Sequence, residues 1–158
     1  MNPSPLYLAW LKGEDKGYDW VDLINYILIA NAELTDYNLS NNEIEKIVEA
    51  CDDMFAVWCG EGVPYTEIDV KKKLQKAINW YERTQDSVPE DEMDDAVLKQ
   101  VRSNMKWLKE DLEWFNPLLA RKIVSHLIDV AKADSINENE KGSINYIAEY
   151  FEVEKPFK

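Results

Sequence analysis

Two short polar phrases hold most of the side chains in this chain that can do chemistry. One is Asp36-Tyr37-Asn38-Leu39-Ser40-Asn41-Asn42-Glu43, and the other is Asp134-Ser135-Ile136-Asn137-Glu138-Asn139-Glu140. Hard cations such as calcium and magnesium take several oxygen ligands from carboxylates, amides, carbonyls and water. Asp36, Asn38, Ser40 and Glu43 offer side-chain oxygens at alternating positions, followed by a carboxylate. Asp134, Asn137, Glu138 and Glu140 offer a similar set. The order is reminiscent of an EF-hand loop, but it is shorter and has no central Gly.

The same residues have a second reading, as helix caps. Ser40-Asn41-Asn42-Glu43 fits a capping box, in which Ser40 accepts from the Glu43 amide and Glu43 reaches back to the Ser40 amide. Asn137-Glu138-Asn139-Glu140 fits the same device with Asn as the cap. Caps account for Ser40, Glu43, Asn137 and Glu140. They leave Asp36, Asn38, Asp134 and Glu138 unexplained, so both readings stand.

Other chemistry is sparse, and no catalytic residues are assigned. The single histidine, His126, lies among Val124, Leu127 and Ile128 and reads as a partly buried helix residue. A zinc site needs further His or Cys ligands at matched spacing, which the chain does not offer. Cys51 and Cys59 fall eight apart in one helix, about 12 Å along its axis, too far for a mutual disulfide. They read as buried or reduced thiols of a reducing compartment. No Gly-rich phosphate loop, nucleophile elbow or Ser/His/Asp arrangement is present. A metal-assisted carboxylate hydrolase is the remote enzymatic alternative, and the expectation is a protein that is not an enzyme.

The elements that must position the phrases are helical. Trp20, Leu23, Ile24, Ile27, Leu28 and Asn31 recur at helical spacing after Asp19, an expected N-cap. Ile44, Ile47, Val48, Cys51, Phe55 and Trp58 mark a second amphipathic helix. Val70, Leu74, Ala77, Ile78 and Tyr81 mark a third, opened by Pro64 or Thr66. Pro89 to Glu92 start a long helix with the stripe Met93, Val97, Val101, Leu108, Leu112 and Phe115. The acidic first turn of that helix suits the positive end of the helix dipole. After Asn116-Pro117 come a helix carrying Ile123, Leu127, Ile128 and Ala131, and a last one carrying Ile144, Ile147, Ala148 and Phe151. Leu6, Leu8, Trp10 and Leu11 suggest a short opening helix or apolar arm. Trp80, Tyr81, Trp107, Trp114 and Phe115 read mainly as core.

No run alternates with period two. The expectation is therefore a single all-α domain over residues 1–158, a bundle of about six or seven helices. Counting from Glu43, Ile47 and Cys51 stand four and eight residues on; counting from Glu140, Ile144 and Ala148 do the same. The two helix–loop–helix units thus form a weak internal repeat.

The totals set outer bounds. A chain of 158 residues, 46% hydrophobic and with six Trp, can bury a real core. The net charge of −13 repels nucleic acid and anionic lipid and favours cations or basic protein partners. No transmembrane span or secretory leader is visible, so a cytoplasmic location is expected.

The apolar, Ala-containing helix, then Asp, an apolar residue, Ser and Glu, then Ile-x-x-apolar, resembles the TerB-like family of tellurite-resistance proteins. That family also covers part of the DnaJ-like co-chaperones. The resemblance spans roughly residues 23–50 and 123–151. Tyr37 and Ser135 stand where the family favours Gly. The resemblance implies a pseudo-two-fold helical fold, an acidic cluster binding calcium, a role in stress response, and protein complexes at the membrane edge. Carried over, the calcium ligands are Asp36 and Glu43 in one loop and Asp134 and Glu140 in the other. The alternative is a metal-independent acidic module of the inhibitor or immunity type.

Overall fold

The computed structural model describes residues 18, 20–36, 40–58, 67–112, 115–133 and 136–157, with side chains of 34–36, 54–58 and 67–69 excepted. The described residues form six α-helices and no strand. They are α1 (Trp20–Asp36), α2 (Asn41–Trp58), α3 (Glu67–Asp86), α4 (Met93–Glu110), α5 (Pro117–Lys132) and α6 (Glu138–Tyr150). The proposed opening arm, Asp19, Pro64, Thr66, Cys59 and Trp114 lie outside the described residues.

The centre of the molecule is α1. Its spacing predicts one apolar face, yet Val21, Tyr26, Ile29 and Ala30 are buried along with Trp20, Ile24, Ile27 and Leu28. A helix that is apolar on all sides belongs inside a protein. Accordingly α1 packs against each of the other five helices, which surround it. Polar groups on and against it pair with those neighbours. Asp22 Oδ2 lies 3.4 Å from Lys73 Nζ and 3.3 Å from Lys76 Nζ, both on α3. Asn25 Nδ2 donates to Cys51 Sγ of α2 (3.6 Å), and Asn104 Nδ2 of α4 donates to the Leu23 carbonyl (3.3 Å).

The surrounding helices follow the expected stripes, with local corrections. Glu90–Glu92 form a separate 3-10 turn before α4 begins at Met93. Helix α4 stops at Glu110, so Leu112 and Phe115 reach the core from the turn after it, and Phe115 packs on Phe151 with ring centroids 5.1 Å apart. Asn116-Pro117 starts α5 outright. The Asn116 side chain accepts from the Leu119 amide, and Pro117 stands in the first turn, where its missing N–H costs nothing. Trp80 and Tyr81 are core, but Trp107 is 40% exposed. Trp107 lies off the Val97–Val101–Leu108 face, which explains its exposure.

Helix α6 ends in a Schellman turn. The Glu152 amide donates to the Glu149 carbonyl (3.1 Å) and the Val153 amide to the Ala148 carbonyl (3.0 Å). This places Glu152 at φ 60, the left-handed region where Gly is normally preferred. The tail then folds back, and Asn145 exchanges two hydrogen bonds with the backbone of Phe157.

Candidate functional site

Both polar phrases build complete capping boxes. At the start of α2, the Ser40 amide donates to Glu43 Oε1 (3.0 Å) and the Glu43 amide to Ser40 Oγ (3.1 Å). At the start of α6, the Asn137 amide donates to Glu140 Oε1 (3.3 Å) and the Glu140 amide to Asn137 Oδ1 (2.8 Å). Glu43 and Glu140 are both fully buried. An N-cap needs this arrangement because the first amides of a helix have no intrahelical acceptor. The equivalence extends inward: Ile47 and Cys51 after one cap, and Ile144 and Ala148 after the other, are all core residues.

The remaining candidate ligands divide. Glu138 is exposed and pairs with Lys141 at 3.2 Å on the surface of α6. Asn38 and Asp134, and the side chain of Asp36, lie outside the described residues. Among the described residues no three His, Cys, Asp or Glu side chains gather as a metal would require.

His126 faces a cleft of about 270 Å³ between α2 and α5, lined by Lys46, Glu49, Asp53, Lys122, Ser125 and Asp129. Its Nε2 lies 3.1 Å from Asp53 Oδ2, and Lys122 Nζ lies 3.4 Å from the same oxygen. Burial lowers the His126 pKa; Asp53 opposes that shift and Lys122 adds to it. The imidazole is therefore neutral near pH 7. Lys46 is paired with Glu49 at 3.1 Å. The cleft is a charge-paired seam that ties α2 to α5.

The most concentrated charge lies elsewhere. Glu90, Asp91, Glu92, Asp94 and Asp95 fall within six residues at the start of α4, and all are exposed. Glu90, Asp91 and Glu92, which the sequence reads as complementing the helix dipole, precede α4 directly, and Asp94 and Asp95 stand in its first turn, so the run lies at the positive end of that dipole. The structure forms no side-chain cap there, neither at Pro89 nor at Glu92. No ion pair engages the five among the described residues. The negative region continues onto α1 and α3. Burial raises the pKa of Glu33, and the nearby carboxylates of Glu82 and Glu43 raise it further. Tyr81 is also pushed up, first by burial and then by Glu33, Tyr26 and Asp94. One end of the molecule thus gathers acids from four helices.

No family model, curated protein or solved structure matches this chain.

Proposed function

We propose that this protein is a non-enzymatic interaction module whose acidic end binds a basic protein partner without needing a metal. The observation that carries the reading is the exposed run Glu90–Asp95, five carboxylates with no cap or ion pair to make among the described residues. Like charges crowded on a surface oppose folding, and a basic partner relieves that repulsion. The capping boxes support the metal-independent form of the reading. They give Glu43 and Glu140 a structural task, directed inward, that makes no use of a cation. The matched caps also support a TerB-like duplication of one helix–loop–helix unit. No described helix is long and apolar enough to cross a membrane. A cytoplasmic setting, with Cys51 buried as a thiol, is part of the proposal.

A calcium-binding reading has one specific observation in its favour. Burial raises the Glu33 pKa first, and the added repulsion from Glu82 and Glu43 is the kind a cation relieves. The two readings separate in one experiment. Immobilised protein captures a basic partner equally well in calcium and in chelator on the first reading, and only in calcium on the second. Neutralising the run as E90Q, D91N, E92Q, D94N and D95N abolishes capture on the first reading. Capture unaffected by neutralisation would sink it.

A further inference from the structure

A groove runs beside the acidic end, between α4 and α6. Both helices pack on α1 and meet each other at their C-terminal ends, where Lys109 Nζ of α4 donates to the Tyr150 carbonyl of α6 (2.8 Å); nearer the start of α4 a strip of α1 remains open between them. Ile27, Ala30, Val101 and Ile147 form its apolar floor. Leu98, 40% exposed, and Tyr146, 50% exposed, stand on its two rims. Two adjoining cavities of about 200 and 250 Å³ share Leu98, Val101, Ser143 and Ile147, and so form one continuous groove. In its wall Ser143 Oγ donates to Asn31 Oδ1 of α1.

From the interaction reading above, on which this inference rests, we infer that the groove receives an amphipathic helix of the partner, apolar side chains inward and basic side chains over Glu90–Asp95. Length supports this occupant. Asp94 to Arg102 mark the two ends along α4, eight residues or about 12 Å at the helical rise. Anchors at i, i+3 or i+4, and i+7 of a bound helix cover nearly that span. Charge supports it too. Asp94 lines one end beside the acidic run, while Arg102 lines the other. The partner helix therefore lies with basic residues at the Asp94 end. A second copy of the chain is disfavoured, because each carries a net charge of −13.

The test uses two synthetic peptides of about 15 residues, enough for helix formation on a surface. One has Leu anchors at helical spacing and Lys elsewhere; the other is its scramble. Both are titrated into isotopically labelled full-length protein at about 0.15 M ionic strength. The expected result is tighter binding of the amphipathic peptide, with amide shifts centred on Leu98, Val101, Ser143, Tyr146 and Ile147. The double variant L98S/Y146S, altered only at exposed rims, weakens it about tenfold. The variant D94N/D95N weakens it and flattens its salt dependence. Equal binding of both peptides, with shifts outside the groove, overturns the groove but leaves the acidic interaction reading standing. Failure of both peptides to bind overturns both readings. Self-association that L98S/Y146S abolishes would assign the groove to a second copy and overturn the inference.

Discussion

Replacing Glu140 separates a structural loop from a metal-binding one. In the structure its carboxylate accepts from the Asn137 amide at 3.3 Å, and the residue is fully buried. Glu140→Ala strands that amide. Loss of a cap interaction costs about 1 kcal/mol, and a bond to a charged acceptor lies at about 1.5–3 kcal/mol. Removing the buried stem adds a packing loss. The expected destabilisation is about 2–3 kcal/mol. For a chain of 158 residues that corresponds to a fall in melting temperature of roughly 4–12 °C. Glu140→Gln keeps an acceptor and is expected to lose about half as much or less. Glu43→Ala and Glu43→Gln repeat the pair at the other cap, where the bond is 3.0 Å. Thermal unfolding followed by circular dichroism in chelator measures all four. A Glu140→Ala protein as stable as the parent in chelator would refute the capping account. A parent that gains stability in calcium, with the gain absent from both Gln variants, would point to the metal reading instead.

Three further outcomes are expected. Glu152→Gly relieves a left-handed residue at the end of α6 and should raise stability by about 1 kcal/mol, read from urea unfolding; a loss would show that the weak pairing with Lys109 matters more. Asp22→Ala leaves Lys73 buried without its carboxylate and should cost about 3–5 kcal/mol, whereas joint replacement by apolar residues of similar size should cost much less. His126 has a lowered pKa, so the unfolded chain binds its proton first as pH falls. Stability from this group is fully present above 6.5 and is lost as pH falls below it towards the folded value. His126→Gln should flatten the acid limb of the stability profile over that window; an unchanged limb would show that His126 is not its source.

The helices were legible because each outer helix buries one stripe, and apolar spacing records a stripe directly. Val97, Val101 and Leu108 on α4 and Ile144, Ile147 and Ala148 on α6 are examples. The central place of α1 was less legible. Spacing marks the apolar positions but cannot tell that Asp22 and Asn25 between them are buried as well, since their partners Lys73 and Cys51 are distant in sequence. Lys73 did carry a signal, falling on the face of Val70, Leu74 and Ala77. The capping boxes were readable because both partners lie within four residues. The groove was not, because it depends on two helices standing apart on a third. Leu98 looks like a stray apolar residue until Tyr146 is placed across from it.

The most direct measurement of the central claim is the affinity of a captured basic partner for parent and neutralised proteins, in chelator, across a series of salt concentrations. The account predicts binding that weakens steadily with salt, falls sharply when Glu90, Asp91, Glu92, Asp94 and Asp95 are neutralised, and is unchanged by added calcium. Binding that requires calcium, or that survives neutralisation intact, would contradict it.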